Sequence, residues 1–223
     1  MGQYWIPVME NKVGKRYAVC AHDFVQGLKF LENAWIGYPV VNIVMSKLYK
    51  NPMLISWVGD YTENRLVGVN KGPTGDEAYD YKYVNNTFFT HGEPAYGYSY
   101  TEDLNDEYLD KIKTQFSIDN TKKYIIVNWT KKLYLDLEEY LNYSRPENSR
   151  FSDEGVLSPL ACLTASPSMD EGLGDYHKEN GLNFDKIGVW SWDLISIEDK
   201  DFDDSDFKKV PIDKYYFDMV VKN

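Results

Sequence analysis

One short pattern occurs twice in the chain and limits the folds that the chain can form. The segment Ile55-Ser56-Trp57-Val58-Gly59-Asp60-Tyr61 returns in part as Gly188-Val189-Trp190-Ser191-Trp192-Asp193-Leu194-Ile195. Each copy closes the same predicted order of β-hairpin, helical segments and strand. An internal duplication is therefore predicted, and with it an α+β fold built from two related units.

The first unit is predicted over residues 1–61. Aromatic and β-branched residues on both sides of a turn indicate a hairpin, and apolar residues at helical spacing indicate helices. The predicted elements are a hairpin of Tyr4–Val8 and Arg16–Cys20, a helix capped by Asp23, a helix over Val40–Tyr49, and a strand over Met53–Val58 that delivers Trp57 and Asp60 to its end.

The second unit is predicted over residues 122–223 and repeats this order before an acidic C-terminal segment. Its register is set by aligning Tyr124 with Tyr4. The predicted elements are a hairpin of residues 123–128 and 132–134, a helix within Asp136–Tyr143, an apolar element over Val156–Ala165 broken by Pro159, and a strand over Ile187–Trp192.

Residues 62–121 are predicted to be a tyrosine-rich, acidic insertion between the units. Tyrosines recur with period two, at positions 79, 81 and 83 and again at 96, 98 and 100, which places three rings on one face of each of two strands. A flat aromatic face of this kind suits stacking on a ligand, so Tyr81 and Tyr98 are candidate ligand-binding residues. Residues Thr101–Phe116 predict an amphipathic helix.

The charge of the chain excludes some partners and favours others. The formal net charge is −11 and the isoelectric point is about 4.8. Such a surface repels phosphate backbones and anionic lipids, so direct binding to nucleic acid or to a membrane is not expected. A basic protein or a small ligand that stacks on aromatic rings is the expected partner. Two cysteines and no apolar leader predict the cytoplasm.

Two kinds of candidate site residue remain in the repeated units. Trp57 and Trp190 could form a ligand platform, although packing in the core is the more common role of a buried indole. An enzyme site is the alternative, with His22 paired to Asp60, Asp175 or Asp193 as acid and base. No metal or cofactor is predicted. The EF-hand-like start at Asp199 lacks the required glycine and the twelfth-position glutamate.

Several motifs together carry a resemblance to a known family. They are Met1-Gly2-Gln3-Tyr4, His22-Asp23-Phe24 with Gly27-Leu28-Lys29, Trp57-Val58-Gly59-Asp60-Tyr61, Asn128-Trp129-Thr130-Lys131-Lys132, and Pro159-Leu160-Ala161-Cys162-Leu163-Thr164 with Gly174-Asp175-Tyr176. The chain resembles a family of uncharacterised proteins, mostly bacterial with fungal and phage relatives, that begin MGQY and carry a W-x-G-D-Y segment. Its relatives have a longer glycine-rich loop in place of residues 166–174, and the resemblance implies no mechanism.

Three functions from different classes follow from these observations. The first is a binding or interaction module with an aromatic and acidic surface. The second is the enzyme built on His22 and an aspartate. The third is an acidic decoy that occupies the nucleic-acid site of another protein.

Overall fold

The computed structural model describes residues 4–59, 89–90, 93–94, 106–150, 155–166, 172–173 and 176–220 of the 223. The strands are β1 Trp5–Glu10, β2 Arg16–Ala18, β3 Met53–Gly59, β4 Phe89–Thr90, β5 Glu93–Pro94, β6 Tyr124–Asn128, β7 Leu133–Asp136, β8 Gly172–Leu173, β9 Tyr176–His177, β10 Asp193–Asp199 and β11 Lys208–Lys209. The α-helices are α1 Phe30–Asn33, α2 Pro39–Leu48, α3 Asp106–Gln115, α4 Ile118–Thr121, α5 Leu137–Asn142 and α6 Pro159–Thr164, and 3-10 turns span Ala21–Phe24, Phe184–Lys186 and Ile212–Lys214.

Seven of the described strands form one mixed sheet in the order β11-β7-β6-β10-β3-β1-β2. The pairs are antiparallel except for β11 with β7, which is parallel. Two short antiparallel pairs, β4 with β5 and β8 with β9, stand apart from this sheet. Helices together with this mixed sheet make the chain an α+β protein.

Apart from β11, the strand order is symmetric about the central β3–β10 pair. Each hairpin lies outside its own central strand, β1–β2 beside β3 and β6–β7 beside β10. The residue after α2, Tyr49, forms a parallel bridge with Ile197 of β10, and the residue after α6, Ala165, forms one with Trp57 of β3. Trp57 and Ile197 therefore occupy equivalent positions in the two halves of the sheet. The sequence alignment instead makes Trp57 equivalent to Trp190. Common descent of the halves stays a prediction.

The two faces of the sheet have different coverings. Trp5, Ile55 and Ile195 lie in the large buried cluster that also contains helix residues such as Ile43 and Leu160. Because side chains alternate along a strand, the intervening residues point to the other face. There Ile6, Val8, Ala18, Val58 and Trp192 form a second, smaller buried cluster. The helices therefore cover one face, and the opposite face is called the open face below.

Several predicted elements are confirmed because their signals are local. Both hairpins form, and Asn11 Oδ1 accepts from the amides of Val13 and Lys15 to close the first turn. Pro39 occupies the first turn of α2, where its missing N–H costs nothing. Asp136 caps α5. The amphipathic helix is confirmed over Asp106–Gln115.

Three predicted elements are wrong, and the backbone gives the reason for each. Val25 has a φ of 57°, which interrupts the helix expected after Asp23. Pro159 does not break an apolar element but starts α6, which Ser158 caps. The strand expected over Ile187–Trp192 is a run of turns, since Gly188 and Trp192 have positive φ, and β10 begins only at Asp193.

Candidate functional site

Two of the predicted ligand-binding residues lie in the core. Trp57 on β3 and Trp190 in the turns before β10 are both 0% exposed. The backbone nitrogen of Trp190 donates to the carbonyl of Leu163 at 2.8 Å, and the carbonyl of Trp57 accepts from Ser166 at 2.6 Å. Neither ring offers an open face to a ligand in this state. Both residues hold α6 against the sheet, which is the packing role that is common for buried indoles.

Asp193 is buried, and its charge is compensated by neighbouring groups. The residue is 7% exposed. Its Oδ2 accepts from Asn128 Nδ2 at 2.8 Å and from the ammonium of Lys131. Asn128 Oδ1 accepts in turn from the Lys131 amide at 2.8 Å. These contacts fasten the β6–β7 turn to the start of β10. The carboxylate serves as an anchor in this arrangement.

The other members of the predicted enzyme site are described only in part. The backbone of His22 lies in the 3-10 turn Ala21–Phe24, whereas Asp60 and Asp175 lie outside the described residues. Asp193 pairs with Ile55, and Gly59 is four residues further along β3. At the strand rise of ~3.3 Å per residue, Gly59 is about 13 Å along β3 from Ile55, the residue opposite Asp193. Tyr81 and Tyr98 also lie outside the described residues, so these site assignments stay predictions.

A group of three aromatic rings was not anticipated from the sequence. Trp129 lies 5.6 Å from Phe202 and 5.2 Å from Phe207, measured between ring centroids, and the two phenyl rings are 5.4 Å apart. The interplanar angles are 82°, 88° and 67°, so each ring meets the others edge to face. All three side chains are only partly buried. We call Trp129, Phe202 and Phe207 the aromatic corner.

A cation from the same chain lies on this corner. Lys132 Nζ is 4.7 Å from the centroid of Phe207 and 5.6 Å from that of Trp129. Both distances fall within the range in which an ammonium is attracted by the negative face of an aromatic ring. Lys132 is an exposed residue with a φ of 55° at the end of the β6–β7 turn. The corner is thus complementary to an ammonium group.

The chain brings the corner together through a crossover. Strands β10 and β11 both run parallel to β7, so the loop between them returns across β6 and β7. Trp129 Nε1 donates to Ser196 Oγ at 2.8 Å. Ser196 lies between Ile195 and Ile197, which face the helix-side core, so its side chain points to the open face. The corner therefore lies on the open face, where the loop carries Phe202 and Phe207 to Trp129.

Backbone hydrogen bonds fix this loop before any ligand binds. The amide of Phe202 donates to Asp199 at 3.0 Å, and that of Phe207 donates to Asp204 at 2.8 Å. The amide of Lys208 donates to the carbonyl of Lys132 at 2.9 Å, which joins the loop to the turn. A site that is ordered in advance loses less conformational entropy when it binds.

Aspartates neighbour the two phenylalanines along the loop. The acidic rim consists of the exposed residues Asp201, Asp203, Asp204 and Asp206. Hydrogen bonds from Ser205 lower the pKa of Asp203, so this carboxyl stays ionised to lower pH. A hydrogen bond with Asp204, together with desolvation, raises the pKa of Tyr134 to about 12. The loop that carries the two phenyl rings therefore presents negative charge to solvent.

A cleft of about 640 Å³ adjoins the loop where Lys200 begins it. Lys200 pairs there with Asp136 at 3.1 Å and with Glu138, and Lys209 pairs with Glu139. The cleft is lined by Asp136, Glu138, Glu139, Asn142, Tyr143, Ser144, Lys200 and Ile212. The cleft carboxylates are thus already paired with two ammonium groups of the chain itself.

Asp218 is a further buried carboxylate that the sequence did not single out. Its Oδ1 accepts from Ser149 Oγ at 2.8 Å and from the amide of Met219 at 2.7 Å, while Oδ2 is buried without a hydrogen-bond partner. Desolvation raises the pKa of this carboxyl. Its backbone carbonyl accepts from Tyr176 and Leu182. These bonds attach the C-terminal segment to the body of the protein.

Other kinds of site find no support in the described ranges. No group of three or more histidine, cysteine, aspartate or glutamate side chains there is placed to hold a metal ion. No described helix has the length and apolar character needed to cross a bilayer. Cys20 and Cys162 are buried cysteines, and desolvation raises the pKa of Cys162.

Comparison of the chain with protein-family models, with curated proteins and with solved structures found no match. The family resemblance of the motifs therefore stays a prediction. The sequence did contain a signal for the corner, namely aromatic residues interleaved with aspartates over residues 199–207. That segment resembles the start of a calcium loop, and it does not by itself predict an aromatic cluster, because the partner ring at Trp129 is 73 residues away from Phe202 in the sequence (202 − 129).

Proposed function

We propose that this protein is a binding module that takes a basic segment of a partner protein on the aromatic corner and its acidic rim. The observation that carries the proposal is the position of the Lys132 ammonium over the faces of Trp129 and Phe207. A site that holds the cation of its own turn has the chemistry to hold a lysine or arginine of a partner.

The surrounding charge supports the same partner. Four exposed aspartates flank the phenyl rings, and the whole chain has a net charge of −11. Potentials of opposite sign steer association and suppress partners of like charge. A basic polypeptide is favoured on this surface, and a phosphate backbone is repelled.

The test is a calorimetric titration with a lysine- and arginine-rich peptide against a glutamate-rich peptide of the same length. We expect only the basic peptide to bind. Its affinity should fall as the salt concentration rises, because salt screens exposed charges. The triple variant Asp201→Asn, Asp203→Asn and Asp206→Asn should bind about tenfold more weakly, since each exposed ion pair contributes about 0.2–1 kcal/mol.

The matched control changes the same number of exposed aspartates elsewhere. Asp110, Asp119 and Asp185 are exposed and lie outside the loop, so their triple change to asparagine alters net charge equally. We expect this control to weaken binding much less than the rim variant. Equal losses in the two variants would show that net charge alone attracts the peptide, and absence of binding would refute the proposal.

A further inference from the structure

The surroundings of the Lys132 ammonium resting on the corner are unusual for a lysine. The ammonium lies on two ring faces, and it makes no ion pair with a carboxylate of the described residues. A free ammonium has three N–H donors, is strongly hydrated and seeks oxygen acceptors. Ring faces meet its charge, so the acceptors for its three N–H donors have to come from solvent.

We infer that the aromatic corner selects a quaternary ammonium, carried by a trimethylated lysine of the basic partner, and that Lys132 occupies this position until the ligand displaces it. The inference rests on the proposed function. A trimethylammonium group keeps the positive charge and has no N–H donor to satisfy. The faces of Trp129 and Phe207, with Phe202 packed edge to face against both rings, supply the apolar, electron-rich surface that such a cation needs.

The acidic rim decides which carrier of a quaternary ammonium fits. A phosphocholine headgroup would bring a phosphate to within a few bonds of the cation, against Asp201, Asp203 and Asp206. Methylated lysine in a basic peptide would instead bring neighbouring positive charges to the same carboxylates. Charge complementarity therefore favours the peptide.

Displacing Lys132 requires little rearrangement. The residue is exposed, and its flexible side chain can turn into solvent while its backbone carbonyl keeps the bond from Lys208. Because ligand and lysine compete for one position, the occupied corner binds more weakly than an empty one would. Lys132→Gln should therefore raise affinity, and because it also removes a positive charge that repels a basic peptide, a control variant must measure that second effect.

The experiment compares one basic peptide in two forms, with an unmodified or a trimethylated central lysine, by calorimetry on the full chain. We expect the trimethylated form to bind at least about threefold more tightly, because both forms place a cation on the rings but only the unmodified ammonium is strongly hydrated and has N–H donors to satisfy. Lys132→Gln should strengthen binding of this form about threefold or more, while the control Lys178→Gln, which removes an exposed lysine outside the corner, should change it by less.

The outcomes separate this inference from the proposed function. Equal affinity for the two peptide forms would overturn the inference and leave the binding module in place. No binding of either form would overturn both. Tighter binding of free phosphocholine than of the trimethylated peptide would overturn the choice of carrier, and equal effects of the two lysine variants would overturn the occupancy of the corner by Lys132.

Discussion

Replacing Trp57 by alanine is expected to lower the free energy of unfolding by about 3–5 kcal/mol, the usual cost of truncating a buried tryptophan. Its indole is 0% exposed within the helix-side core. Its backbone also receives the chain leaving α6, through the bridge to Ala165 and the bond from Ser166. The loss is measured by urea denaturation followed by far-ultraviolet circular dichroism.

Two further variants make this expectation specific. Val13→Ala, at a side chain that is 85% exposed, should change stability by no more than about 0.5 kcal/mol. Trp57→Phe should recover much of the stability and bind the basic peptide as the wild type does. A stable Trp57→Phe variant that had lost peptide binding would restore the ligand-platform role, and a loss below about 1 kcal/mol in Trp57→Ala would contradict the packing role.

Replacing Trp129 by alanine is expected to weaken binding of the basic peptide by about 10- to 100-fold, since hot-spot aromatics at interfaces typically cost 2 kcal/mol or more when truncated. Trp129 contacts both phenyl rings and lies under the Lys132 ammonium. Its hydrogen bond to Ser196 fixes the orientation of the indole. Calorimetry with the same peptide measures the change.

A conservative variant separates the ring from the fold. Trp129→Phe loses the bond to Ser196 but keeps an aromatic face for the cation. Because that face makes the main contact, we expect the variant to retain most of the affinity. Tyr38→Ala removes a partly exposed ring that is not part of the corner and should leave binding unchanged. Wild-type affinity in a folded Trp129→Ala variant would exclude the corner as the binding site.

The sequence predicted the elements whose causes lie within a few residues. The first hairpin needs only its aromatic and β-branched residues and the turn that Asn11 closes, and α2 needs only Pro39 and a helical apolar pattern. The turns before β10 could not be predicted in this way. Their aromatic and β-branched residues are typical of a strand, but Trp192 takes a left-handed conformation that packing on the open face stabilises.

The candidate site depends on contacts that are distant in sequence. Trp129 meets Phe202 and Phe207 only because β6 pairs with β10 and the following loop crosses the sheet. Asp193 is a candidate site residue by its type and position, but its role depends on Asn128 and Lys131, which compensate its charge from a distant part of the sequence. Residue type indicated where charge lies, and the topology determined what it contacts.

The position of the Lys132 side chain in solution tests the central claim most directly. We would measure the proton chemical shifts of its ε-methylene group by nuclear magnetic resonance, first in the free protein and then with saturating basic peptide. Protons above aromatic faces are shielded, so we predict upfield signals in the free protein that return to ordinary lysine values when the peptide displaces the side chain. Ordinary values in the free protein, or upfield signals that persist at saturation, would contradict binding at the aromatic corner.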